Sequence, residues 1–241
     1  MPPFETPKIS AFGDSAVLIK AGDDISQETH RVVQNLMHSI QQYEIAGVEE
    51  VVPSYNELLI YYNPLLIKPE VLADAIRAAA TSHTSNQLPH PRTIVIPVLY
   101  GGDHGPDLQD VATLTGLSPD EVVAIHSGSN YLVYMMGFSP GFCYLGGMDT
   151  RIACNRKAQP RFKIEAGAVG IAGRQTGIYP IESPGGWQII GQTPVKLFRP
   201  DAAAPFLVQA GDFIRFEPIS PSVFNRMKIE GFEPAIIPVN E

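Results

Sequence analysis

Charge is scarce in this chain, and what there is leans one way. Asp, Glu, Lys and Arg make up 17% of the 241 residues and leave a formal net charge of −8, where globular proteins carry about a quarter charged residues. With no basic face to neutralise phosphates, non-specific nucleic-acid binding is excluded, and attraction to an anionic membrane goes with it. Cysteine is almost missing. Cys143 and Cys154 are the only two and form no C-x-x-C pair, so no disulfide framework is expected and a reducing compartment fits. No apolar run approaches the roughly 18 residues that cross a bilayer. The first residues, Met1-Pro2-Pro3-Phe4-Glu5, lack the basic and apolar regions of a signal peptide. The expectation is a cytoplasmic protein that binds neither nucleic acid nor membrane.

Common catalytic devices are missing too. No Gly-Lys dipeptide occurs, which removes the phosphate-binding P-loop. There is no G-x-S-x-G nucleophile elbow. The six histidines and two cysteines show no zinc-ligand spacing, and no metal is expected.

Hydrophobic residues, in contrast, reach 44%, and the length suits two domains. The 21 glycines and 22 prolines form no low-complexity tract and read as turns. Residues 8–20 look extended, broken at Gly13-Asp14. Ser26 opens a helix whose apolar face is Val32, Val33, Leu36, Met37 and Ile40. Residues 48–52 and 58–62 read as strands, the first interrupted by Pro53, and Pro69 starts a second helix with the apolar stripe Val71, Leu72, Ala75, Ile76 and Ala79. This strand–helix–strand–strand–helix pattern predicts a small α+β domain over residues 1–85. A polar, proline-bearing stretch follows, placing a linker at 86–92. The remainder, 93–241, opens with a strand and two short helices, the second with the capping box Ser118-x-x-Glu121. Beyond Asn130 helical periodicity fades into short β-rich runs at 131–136, 168–172, 177–181, 188–190, 195–198 and 213–216, a pattern that predicts a mainly β barrel.

Eleven of the 21 glycines fall between Gly137 and Gly191. Such loops make tight turns or let a ligand approach the backbone, and turns alone account for them equally well. Interleaved polar residues favour the ligand: fixed side chains among backbone amides are how an acyl or carboxyl oxyanion is held. The candidate catalytic residues are His126, Tyr134, Arg161, Gln175 and Ser183, with Arg161 as an anion clamp. Phe138, Pro140, Gly141, Thr176, Tyr179, Gly185 and Gly186 are candidate substrate contacts. Plainer readings stand beside these. His126 ends a capped helix, where a histidine serves the helix dipole, and Trp187 reads as core or interface.

Taken in order, Gly13-Asp14-Ser15-Ala16, Pro53-Ser54-Tyr55, Ile96-Pro97-Val98-Leu99-Tyr100-Gly101-Gly102, Gly105-Pro106-Asp107-Leu108, His126-Ser127 and the segments 131–145, 170–180, 183–191 and Gly211-Asp212 resemble the allophanate hydrolase subunit 1, or carboxyltransferase-like, family. The resemblance covers nearly the whole chain. It implies that the C-terminal barrel is cyclophilin-like and that the chain is one component, inactive alone, of a 5-oxoprolinase complex that uses ATP to open 5-oxoproline to glutamate. The implied partners are a C-type component with a related carboxyltransferase-like barrel and an A-type component. The same family includes an inhibitor of a sensor histidine kinase and components of urea carboxylase and allophanate hydrolase assemblies. Glu165, Ala168 and Gln192 depart from the residues usual in the family, which touches the loop stiffness and charge of the expected site.

Overall fold

Two hydrophobic cores that share no residue organise the units Met1–His90 and Pro91–Glu241; the computed structural model describes residues 8–81 and 91–239. In the first unit, β1 (Lys8–Ala11), β2 (Ala16–Lys20), α1 (Gln27–Tyr43), β3 (Val48–Pro53), β4 (Glu57–Tyr62) and α2 (Pro69–Thr81) follow in sequence. The strands form one antiparallel sheet in the order β1-β2-β4-β3. Strand alternation puts Val17 and Ile19 of β2 with Leu58, Ile60 and Tyr62 of β4 on one face. The apolar stripes of both helices cover it through Val33, Leu36, Ile40, Leu72 and Ile76; Val71, expected in the second stripe, is instead exposed, since it precedes Leu72 by one residue and so lies about 100° around the helix from it. Ser26 caps α1 by accepting the Thr29 N–H at 3.1 Å. Pro53, expected to interrupt its strand, is instead accommodated in it, because β3 lies at the sheet edge where a missing N–H costs no ladder bond.

Most of the expected linker, 86–90, lies outside the described residues. Arg92 already belongs to β5 (Arg92–Tyr100). Its guanidinium donates to both oxygens of buried Asp212 at 3.0 and 2.6 Å.

Strand β5 is the spine of the second unit. Seven consecutive residues from Thr93 to Leu99 are buried, as expected for a strand covered on both faces. The helices α3 (Leu108–Thr115) and α4 (Pro119–Ser127) come next, then β6 (Asn130–Met136), β7 (Cys143–Gly146), β8 (Arg161–Ile164), β9 (Ala168–Ala172), β10 (Gln175–Ile178), β11 (Ser183–Gly185), β12 (Gln188–Gln192), β13 (Phe213–Pro218), α5 (Pro221–Glu230) and β14 (Ile236–Pro238). The main sheet runs β10-β9-β12-β5-β13-β6-β7, with β14 also on β5. Its two end strands, β7 and β10, return alongside each other, so the sheet nearly closes into a barrel. Ile94, Ile96, Tyr131, Val133, Val169, Ile171, Ile190, Ile214 and Phe216 fill it. A separate two-stranded ribbon, β8 with β11, stands outside this path.

Three expectations give way. The strand expected at 177–181 runs instead over Gln175–Ile178, ending before Pro180, which has no N–H to continue the ladder. Residues 195–198 form no strand: Val195 and Leu197 are buried in the core, but they do so from a loop, with one isolated bridge between Phe198 and Phe206. Pro194 and Pro200 flank the segment and withhold the ladder donors a strand needs. Helical structure also does not end at Asn130. Helix α5 follows a Ser220 cap with Pro221 at its first position, a start signal that outweighs its weak periodicity, since only Phe224 is buried.

The capping box is present: the Ser118 N–H donates to Glu121 at 2.8 Å while the Ser118 hydroxyl accepts the Glu121 N–H at 3.3 Å. Substituting Ser118→Ala should therefore lower stability by about 1 kcal/mol. Urea unfolding should show an earlier midpoint with an unchanged slope.

Candidate functional site

Arg161 is already committed within the protein. Asp107, 1% exposed just before α3, accepts hydrogen bonds from Arg161 Nη1 and Nη2 at 2.8 and 2.7 Å, Lys157 Nζ at 2.6 Å and the Ile189 N–H at 2.7 Å. Burial pushes the Asp107 carboxyl up, but the hydrogen bonds from Arg161, Lys157 and Ile189 outweigh it and hold the group below the usual carboxylate range. The expected substrate clamp is thus an internal one, and Asp107 was the unrecognised partner. Its only trace in the sequence is a single acid in Gly105-Pro106-Asp107-Leu108.

His126 and Thr176 are likewise turned inward. His126 is fully buried at the end of α4. Its ring stacks on Phe216 with centroids 4.5 Å apart. The Thr176 hydroxyl donates to the Gly170 carbonyl at 3.0 Å. It can therefore only accept from His126 Nε2, at 2.8 Å, and this fixes the ring's other nitrogen as the acceptor of the Tyr100 hydroxyl at 2.7 Å. Burial lowers the His126 pKa to about 3. This histidine is neutral, saturated and closed to solvent, which removes it and Thr176 from any set of groups facing a ligand. Tyr134 also lies inside: a side chain on Gly146 would meet its ring at 2.1 Å, so glycine is what lets the tyrosine pack there.

The expected residues that do converge are Phe138, Gln175, Tyr179, Gly185 and Gly186. They line an open cleft of about 150 Å³ together with Phe142, Tyr144, Arg156, Pro184 and Trp187. An edge-to-face cluster forms its wall: Phe142 stands 5.9 Å from Trp187 and 6.2 Å from Tyr179. Phe138 stands at 71% exposure with φ of 67°, a left-handed conformation that a bulky residue adopts only when the surroundings impose it. The tight turn Gly137–Phe142 does so, through Gly137 N–H to Phe142 O at 3.1 Å and Phe142 N–H to Ser139 O at 3.0 Å. Pro140 and Gly141 belong to this turn, not to the cleft lining. Gly185 is required: a Cβ there would sit 2.4 Å from the Tyr179 hydroxyl. Ser183 lies one residue outside the lining on β11, its hydroxyl buried without a hydrogen-bond partner among the described residues.

Electrostatically the cleft has one signed group among the described residues. Arg156 is exposed and makes no ion pair with those residues, whereas Lys157 and Arg161 both face Asp107. Burial raises the Tyr179 pKa, opposed by a backbone hydrogen bond at Trp187 and by the charges of Arg156 and Arg161. Among the described residues, no histidine, cysteine or carboxylate lines the cleft. The lining can hold an anion with an apolar body; besides Arg156 its ionisable groups are the Tyr144 and Tyr179 phenols, and burial, which raises the Tyr179 pKa, keeps that phenol protonated and unsuited to act as a base. Sequence reasoning passed over Arg156, and it read Trp187 as core or interface; Trp187 is indeed buried in a hydrophobic cluster and lines the cleft as well. Arg156 has no distinguishing neighbour spacing, and Trp187 carried only its uniqueness and the preceding Gly185-Gly186.

Comparison with known proteins agrees with this architecture. A family model described as "Carboxyltransferase domain, subdomain C and D" matches residues 7–208. The chain is 40% identical over 237 residues to the B-type component of 5-oxoprolinase from Bacillus subtilis (strain 168), covering 92% of this chain and 97% of that protein. The crystal structure of TTHA0988 in space group P212121 superposes with a TM-score of 0.76 at 33% identity over 85% of this chain, which spans only 40% of that longer protein. The urea amidolyase of K. lactis superposes with a TM-score of 0.78 at 18% identity, over 97% of this chain and 16% of that one; this likeness concerns the fold alone.

Two acid-stability results should follow. Replacing Asp107→Asn leaves two cations against a neutral group and should cost about 3 kcal/mol at pH 7. A carboxyl held below its unfolded value of about 3.9 stabilises above that pH and ceases to as pH falls through its folded value. The gap between wild type and variant in urea unfolding should therefore close below about pH 4. His126, lowered from 6.5 to about 3, stabilises the fold fully above about pH 6.5 and progressively less as the unfolded chain takes up the proton. In His126→Gln, the decline of stability between pH 6.5 and 4 should be shallower than in wild type.

Proposed function

Since the chain belongs to the family of carboxyltransferase-domain (subdomain C and D) proteins, we propose on that premise that it is the B-type component of an ATP-dependent 5-oxoprolinase, supplying one wall of the site that hydrolyses 5-oxo-L-proline to L-glutamate. The observation that carries the reading is the match to a curated 5-oxoprolinase component of this type over 97% of its length. The cleft supports it from the chemical side. A wall with one guanidinium, one carboxamide and an aromatic cluster, but no histidine or carboxylate among the described residues, suits a component that binds and orients while a partner provides the general base. On this reading the chain is inactive alone and works with the C-type and A-type components in the cytoplasm, where two buried free thiols are stable. The barrel is read as cyclophilin-like.

The lactam is an unstrained amide, and ATP supplies the phosphoryl group that turns its oxygen into a leaving group. The nucleotide does not fit this cleft: three phosphates need several cations or a cradle of backbone amides, whereas the cleft offers one arginine and about 150 Å³. ATP is therefore not placed in this cleft. What this chain's own residues do is seat the substrate, exclude water behind Phe142 and Trp187, and present Gln175 at the rim.

Glutamate release from 5-oxo-L-proline and ATP by the purified components tests this. Omitting this chain should abolish turnover. Substituting Gln175→Ala should reduce kcat/KM at least tenfold, about 1.4 kcal/mol of transition-state stabilisation. Equal turnover without the chain would remove it from the enzyme.

A further inference from the structure

Arg156 and Lys157 are consecutive, yet their charges have opposite fates. Lys157 is drawn inward to Asp107 at 2.6 Å, and its N–H donates to the Gly186 carbonyl at 2.7 Å. Held on both sides, it fixes the backbone from which Arg156 emerges at the cleft. The guanidinium meets no carboxylate among the described residues, and its charge reaches the Tyr179 phenol across the cleft. In a chain of net charge −8, an uncompensated cation beside an aromatic wall is a local reversal of sign. The cleft, at about 150 Å³, falls below the roughly 300 Å³ at which drug-sized ligands begin to fit. A ligand matched to it is small, carries one negative charge and has an apolar face.

We infer that Arg156 is the specificity-determining residue of this cleft, reading the carboxylate of a small cyclic acid whose ring lies against Phe142 and Trp187. A guanidinium recognises a carboxylate through two parallel N–H···O bonds, which a lysine cannot reproduce. On the proposed function the acid is 5-oxo-L-proline, so the assignment rests on that reading for the ligand's name, but not for its chemical class. Neutral lactams, lacking the carboxylate, are discriminated against here.

Trp187 is the only tryptophan of the chain and lines the cleft, so its fluorescence reports occupancy directly. The full chain is titrated with 5-oxo-L-proline and with its neutral carboxamide. Wild type should saturate with the acid and bind the carboxamide at least tenfold more weakly. Arg156→Gln should lose at least tenfold for the acid and no longer discriminate, and Arg156→Lys should recover only part. In the assembled enzyme, Arg156→Gln should raise KM for 5-oxo-L-proline at least tenfold while kcat stays within about threefold. A raised KM without a fluorescence response in the isolated chain supports the assignment, with the partner completing the site. Equal binding of acid and carboxamide, wild-type affinity in Arg156→Gln, or a wild-type KM in the Arg156→Gln enzyme overturns it. Arg156-dependent binding in a chain whose complex releases no glutamate leaves the subsite standing and sinks the enzyme reading. Full turnover with a wild-type KM in Arg156→Gln does the reverse.

Discussion

The buried carboxylate of Asp107 is the constraint on which the cleft depends. It sits where three otherwise unrelated segments meet: the start of α3, the loop and strand that carry Lys157 and Arg161, and β12 through the Ile189 N–H. A buried ion pair is poor evidence of net stability, because desolvation offsets most of the Coulomb gain. Its geometric effect is less ambiguous. Four donors aimed at two oxygens leave the 157–161 segment one position relative to β12, and β12 begins one residue after Trp187. The cation at one end of the cleft and the indole in its wall are thereby referred to the same fixed point.

The interior of the barrel uses a second polar device, and the contrast explains why glycine-rich loops misled as to which residues face a ligand. His126, Thr176, Tyr100 and the Gly170 carbonyl form a chain in which every donor has its acceptor. A satisfied network of that kind rigidifies a core. Both ring nitrogens of His126 and the hydroxyl protons of Tyr100 and Thr176 are thereby committed. The same region of sequence thus supplies both an inward network and an outward cleft. Neighbouring residues diverge: Thr176 points in, and Gln175, one residue earlier on β10, faces the cleft. Strand alternation makes that split inevitable, but reading it requires the strand's register, which single residues among glycines do not give.

Much of the architecture was nonetheless legible. The apolar stripes of α1 and α2, the Ser26 and Ser118 caps and the strand at Ala168–Ala172 each follow from local signals that the packing reinforces. Losses came where side-chain burial and backbone geometry parted company. Val195 and Leu197 have the apolarity of a strand and are buried like one, yet flanking prolines keep them out of the sheet. Helix α5 buries so little that its periodicity carries no weight, and only its serine–proline start marks it. For the cleft, the aromatic and glycine members Phe138, Tyr179, Gly185 and Gly186 were recoverable because their types restrict the backbone. The cations were not, since Arg156, Lys157 and Arg161 look alike in sequence and differ only in whether Asp107 reaches them.

That difference has a chemical consequence. Had all three cations faced the cleft, it would favour polyanions, and a nucleotide phosphate would compete with any small acid. Asp107 engages two of them, with Asp110 3.6 Å from Lys157 supplying the second negative charge, and Arg156 alone is left at the cleft. The site is thereby restricted to a singly charged ligand, while the aromatic wall restricts it to one with an apolar face. Because the described lining contains no histidine, cysteine or carboxylate, the proposed reading separates selection from bond making. On the proposed function, such a wall selects the acid and a partner supplies the chemistry.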